Sequence, residues 1–226
     1  PAALAEMLTA LTQAPPREVL AWSMVDDERR SVRYAVGAQE EIAEGVFQRL
    51  AGVLSSQGMQ ILAAEIYSLP GRYILDFFEV HDLDYRDAPP ESRLCEVREA
   101  LKAVLKQSSP PPPNFRRLWG AQSPPANPRL PTRVVIDNQT AQNMTIIDVF
   151  AHDRLGLLYT ISRTLYELRL NVHVAKISTY LDQVVDVFYV TDLDSGGKIT
   201  CPERCETIQQ RLLEAIERVE TAQSPS

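Results

Sequence analysis

The chain carries one pattern twice, and that duplication limits its possible folds more than any other feature. GVFQRLAGVLSSQGMQILAAEI from Gly45 lines up with GLLYTISRTLYELRLNVHVAKI from Gly156, at an offset of 111 residues. LDFFEVHDLD from Leu75 lines up with VDVFYVTDLD from Val185, at an offset of 110. The one-residue slip falls in LPGR against LDQ, a turn that absorbs a change of length. A period this long marks a duplicated domain rather than a solenoid unit. In 226 residues there is room for two domains of roughly 100 residues, each with its own core.

Between the repeats the composition changes. Eight of the sixteen prolines lie from Pro110 to Pro131. Proline fixes φ and lacks an N–H, so this stretch is neither helix nor central strand and reads as an extended, semi-rigid spacer. Phe115, Leu118 and Trp119 interrupt it, and apolar residues in a linker dock onto a neighbouring domain, making the segment a strap. Its Lys106, Arg116, Arg117 and Arg129 suit contact with acidic domains. The expected divisions are a lead-in helix over 1–17, a first domain over 18–106, a Pro-rich linker over 107–131, a second domain over 132–220 and a disordered tail over 221–226.

Periodicity gives the elements. Residues 144–151 (MTIIDVFA), 172–179 and 184–191 read as strands, the last two joined by a tight turn at Leu181 and Asp182. Leu157, Leu158, Ile161, Leu165 and Leu168 form one helical stripe. Pro202 suits the first turn of a final helix that buries Ile208, Leu212, Leu213 and Ile216. Arg133–Asp137 adds a leading strand, matched by Glu18–Met24 in the first repeat. The order ββαββα differs from the usual ferredoxin-like βαββαβ plait, in which the last strand lies antiparallel beside the first. A leading strand hairpinned onto the next fills that same edge. The fold class expected is α+β, two such plaits, each an antiparallel sheet with two helices on one face.

A net charge of −7 argues against nucleic acid or an anionic membrane as partner. There is no apolar run of membrane-spanning length, and PAALAEMLTA, without a basic segment followed by a long apolar stretch, does not read as a secretion signal. Cys95, Cys201 and Cys205 read as reduced thiols of a cytoplasmic protein. Cys201 and Cys205 could share a helix face, yet a zinc site needs two further ligands that no nearby His supplies. His81-Asp82 and His152-Asp153 end strands instead of gathering on helices, which makes them poor metal ligands. The DLD triplets at 82–84 and 192–194 lack a Gly-Ser phosphate loop and read as turn aspartates. No nucleophile elbow or P-loop is present, so no catalytic residue, metal or cofactor is assigned. His173 reads as a half-buried or interface histidine. Asp76 and Asp186, between apolar neighbours in strands, need a donor or an edge position.

The sharpest candidate is Asp153-Arg154-Leu155-Gly156-Leu157-Leu158, where a strand meets a helix. Glycine lets a ligand approach the backbone, and the free N–H groups of a helix start can hold a carboxylate. Asn171, fifteen residues after Gly156, offers both donor and acceptor. Together these suit a free amino acid. Equally, Asp153 can be a plain helix cap and Asn171 a turn residue.

The pattern HDRLGLL…LNVHVAKI…VVDVFYVTD resembles an ACT domain. The doubled arrangement with VVIDN ahead of it is similar to the C-terminal tail of the bifunctional uridylyltransferase/uridylyl-removing enzyme family, over about Arg17 to Val219. That resemblance implies tandem ACT domains that sense glutamine. They would switch an enzyme between adding and removing uridylyl groups on the nitrogen-regulatory PII protein. Catalysis, with its magnesium, would belong to domains preceding Pro1, and a start without Met fits a portion of a longer protein. ACT units would pair within the chain or in a dimer. Carried over by position, the effector loop falls on Asp153, Arg154, Leu155, Gly156, Leu157 and Leu158, and a strand-start contact on Asn171 and Val172. Gly45, Val46 and Gln60 are weaker first-repeat equivalents, because Glu40, Glu41 and Glu44 would repel a ligand carboxylate. The alternative is a pairing module that needs no ligand.

Overall fold

The computed structural model describes residues 2–39, 42, 45–85, 87–108, 110–115, 131–152, 154, 156–180 and 183–222. Two compact units divide the chain, Pro1–Pro113 and Asn114–Ser226.

In the first unit, helix α1 (Ala2–Gln13) precedes β1 (Leu20–Asp26) and β2 (Ser31–Gln39). Helix α2 (Val46–Ser56), β3 (Met59–Leu69), β4 (Tyr73–Asp82) and α3 (Glu91–Lys106) complete it. The sheet order is β1-β2-β4-β3, antiparallel throughout. Strand β1 therefore fills the edge that a trailing strand takes in the usual plait, as the sequence suggested. Alternation along β2 and β4 sends Tyr34, Val36, Phe78 and Val80 toward the helices. There Phe47 of α2 stacks on Phe78 at 6.0 Å, and Leu50, Leu54, Val97 and Leu101 close the layer.

The opposite sheet face is also covered. Met7 of α1 packs with Ala35, Leu75 and Phe77. Leu11 reaches Gly37, where an added Cβ would lie 3.2 Å from its methyl group. The lead-in helix is thus a third layer, a role its sequence did not announce.

The second unit runs β5 (Arg133–Asp137), β6 (Thr145–His152), α4 (Leu157–Glu167), β7 (Leu170–Lys176), β8 (Thr179–Tyr180), β9 (Gln183–Asp192) and α5 (Pro202–Ala222). Its sheet repeats the first, in order β5-β6-β9-β7, with β8 paired to β9. The strand expected over 172–179 instead starts at Leu170 and stops at Lys176, and β8 takes up the end of that stretch. Residues 221 and 222, expected in a tail, continue α5. The turn at Leu181 and Asp182 lies outside the described residues. Ile161 and Leu165 of α4 and Ile208, Leu212 and Ile216 of α5 are fully buried over Ile147, Val149 and Phe188.

The two repeats agree in detail. Gly45 and Gly156 both precede their helix in the left-handed region, at φ 64° and 82°, where L-residues other than glycine are strained. Each third plait strand carries a bulge at the same place, between Ile61 and Ala63 and between Val172 and Val174.

Candidate functional site

Strand β6 ends at His152, and α4 begins at Leu157 directly after Gly156. Asp153 and Leu155 lie outside the described residues. Arg154 is half-buried, and its carbonyl accepts the Leu157 N–H at 2.9 Å. That amide, expected to be open, is therefore spent on the turn. The side chains of Leu157 and Leu158 are buried in the core, so only backbone from these two residues can face a ligand.

Gly156 is where the bend comes closest to another group. An added Cβ there would meet the Phe115 ring at 3.0 Å, and Phe115 also packs edge-on against Tyr159 at 5.6 Å and 63°. The expected docking of the Pro-rich strap holds for Phe115; Leu118, Trp119, Arg116, Arg117 and Arg129 lie outside the described residues. From Gly156 a groove of about 400 Å³ continues between α4 and α5, past Thr160, Arg163, Arg211 and Arg218. Two of its arginines are engaged by acids, Arg163 by Glu167 at 2.7 Å and Arg218 by Glu214 at 4.0 Å.

Asn171 stands on β7, half-buried, opposite Thr191 of β9. Val172 faces Val190, beside the bulge. His173 occupies that bulge, and its Nε2 lies 2.8 Å from the Thr191 hydroxyl. Register decides how Asn171 relates to the bend. His152, where β6 ends, pairs with Gln183, whereas Asn171 pairs with Thr191 at the far end of the same strand. Eight residues of strand separate the two levels, roughly 26 Å. Within one unit, Asn171 and the glycine bend cannot touch the same small molecule.

In the first repeat Glu40, Glu41 and Glu44 lie outside the described residues. Gly45 is overlaid by the side chain of Gln48, Val46 opens α2, and Gln60 pairs with His81 on β4. The glycine is covered in both repeats, by a local glutamine in one and by the strap phenylalanine in the other.

The tempting metal residues have other employment. Asp82 Oδ1 accepts the Asp84 N–H, and Asp192 Oδ1 accepts those of Asp194 and Ser195. Both DLD triplets are turn aspartates, as read. Cys201 precedes α5 and its thiol donates to Glu203 at 2.9 Å, while Cys205 donates to the Ile199 carbonyl. Among the described residues no group of three His, Cys, Asp or Glu could hold a metal ion, and no helix is long and apolar enough to cross a membrane.

A duplicated ββαββα plait with a left-handed glycine before its first helix defines the class. Residues 133–220 match the ACR9-like, ACT-like domain family, and the chain is a tandem of ACT-type domains. By sequence it is similar to bifunctional uridylyltransferase/uridylyl-removing enzymes. It is 36% identical over 177 residues to that enzyme of Azospirillum brasilense, covering 76% of this chain and 18% of the relative. It is 30% identical over 203 residues to that of Rhodospirillum rubrum, covering 87% and 21%. The chain thus spans about a fifth of the length of these relatives. Among solved structures, aspartate kinase from Synechocystis aligns over 84% of this chain and 27% of its own, at 14% identity and a TM-score of 0.46.

Proposed function

We propose that the chain is a regulatory module that senses a free amino acid, glutamine, and governs uridylylation and deuridylylation of the PII protein by catalytic domains of a longer protein. The magnesium of such chemistry belongs to those domains. The observation that carries this reading is the left-handed Gly156 at the start of α4, repeated at Gly45, in a chain whose relatives are uridylyltransferase/uridylyl-removing enzymes. A positive φ at a helix start exposes backbone to a ligand's carboxylate, and the first-turn N–H groups beyond Leu157 are its donors.

The separation of bend and Asn171 along the sheet, roughly 26 Å, shapes the mechanism. One glutamine uses both only if the bend comes from one copy of the unit and Asn171 from another. The ligand then favours a paired state by its differential affinity for it. Calorimetric titration of the chain with L-glutamine tests this. Saturable binding that strengthens with protein concentration is expected, together with a loss of about tenfold or more in Asn171→Ala, the scale of one bond to a charged group. A folded chain giving no heat at millimolar glutamine rejects the reading.

A second reading, pairing without ligand, is favoured by Val135 and Val185, which stand 41% and 39% exposed on the outer face of the second sheet. The corresponding face of the first sheet is covered by α1. Sedimentation of the ligand-free chain separates the two: a dimer unchanged by glutamine supports pairing alone.

A further inference from the structure

The first part of the Pro-rich segment, up to Phe115, is held at two points. Arg49 of α2 donates to the carbonyls of Gln107 and Ser108 at 2.6 and 3.1 Å, fixing its beginning to the first unit. Pro110–Pro113 follow, a run whose fixed φ keeps the chain extended and stiff. Phe115 then lays its ring over Gly156 and against Tyr159 in the second unit. The glycine is the one place in the bend without a side chain, and the ring fills the space that its missing Cβ leaves open. The ring is half-exposed where it joins the wall of the groove between α4 and α5.

We propose that Phe115 is a tethered occupant of the effector bend, and that ligand and strap exclude one another there. This rests on the bend being the ligand site. A molecule that approaches the Gly156 backbone must lift the ring, because the two claim the same volume. Binding at the bend is thereby linked to release of a stiff segment whose other end is fixed by Arg49. The free chain is self-occluded, and its affinity for effector is lowered by the fraction of molecules with the ring seated. Specificity follows from the same arrangement: a small ligand that reaches the glycine competes, whereas one that binds farther along the groove, beside Arg211, does not.

Titration of Phe115→Ala with L-glutamine, beside the unsubstituted chain, is the first arm of the test. The variant is expected to bind on the order of tenfold more tightly, within the usual range of coupling between sites. Phe115→Leu, which keeps an apolar side chain without the ring, should fall between the two. The second arm needs no variant protein for its signal: the chain is labelled with 4-fluorophenylalanine, and the Phe115 resonance is identified by its loss in Phe115→Leu. Glutamine should move that resonance toward the position of a solvent-exposed ring. An unchanged or weakened affinity in Phe115→Ala, or a resonance that stays put while glutamine binds, overturns the strap and leaves the sensing reading standing. If neither protein binds glutamine, both fall.

Discussion

Asp76 brings a carboxylate into the helix-facing side of a central strand, where it is 1% exposed. The Tyr67 N–H donates to it, while its Oδ1 has no hydrogen-bond partner. Burial pushes the carboxyl up from the ordinary 3.8 to about 7. The folded chain therefore keeps this proton up to about pH 7, whereas the unfolded chain releases it near 3.8. Below the lower value the group costs nothing; between the two, stability falls as pH rises; above pH 7 the penalty is complete. Asp76→Asn, neutral and of the same shape, should stabilise the first unit by up to about 4 kcal/mol at pH 8 and change it little near pH 4. Denaturant unfolding at the two pH values measures the difference, and an equal effect at both would contradict the assigned cause. The sequence marked Asp76 and Asp186 as residues that need a donor, since their alternation put them among apolar side chains. It could not supply the Tyr67 amide, because that partner comes from the neighbouring strand's backbone, which carries no sequence signature.

At the scale of elements, an arginine in the first turn of each closing helix joins three pieces of its unit. Arg93 of α3 binds buried Asp82 at 2.9 Å and donates to the Gln57 carbonyl at 2.6 Å. Arg204 of α5 donates to the Leu168 carbonyl and stands 3.7 Å from Asp192. The geometry is shared but the surroundings differ: Arg93 is 7% exposed and Arg204 33%. Removing Arg93 leaves the buried Asp82 without its counter-charge, so Arg93→Ala should cost about 3–5 kcal/mol. Arg204→Ala, with its acid near water, should cost about 1 kcal/mol. Thermal unfolding of the two variants gives the comparison, and equal losses would show that burial does not set the value of the clamp. Elements with a strong apolar stripe were legible from sequence: Leu157, Ile161 and Leu165 located α4, and Pro202 located the start of α5. The bulges at 172–174 and 61–63 were invisible, since both repeats carry one at the same place and their alignment stays free of gaps. Nor did α1 reveal its seat on the back of the first sheet, because an amphipathic stripe shows that a helix is covered without showing by what.

For the whole molecule, duplication and edge closure were readable because they rest on order and period, which survive without coordinates. The wide separation of Asn171 from the glycine bend was not, because Gly156 and Asn171 are only fifteen residues apart in sequence and register alone carries them to opposite ends of β9. The same register brings other distant residues together. Thr132, just before β5, donates to Glu220 near the end of α5 at 2.8 Å, so the second unit finishes where it starts. A bridge of a few glycines and serines after residue 222 could join these ends, and a new opening in the exposed stretch at 139–143 would turn the leading strand into a trailing one. Such a circular permutant should show the same circular dichroism and cooperative melting as the original unit; a molten product would mean that the β5-β6 hairpin must form first. The elements of this unit thus form a closed ring, and where the ribosome begins reading it is a matter of ancestry more than of packing.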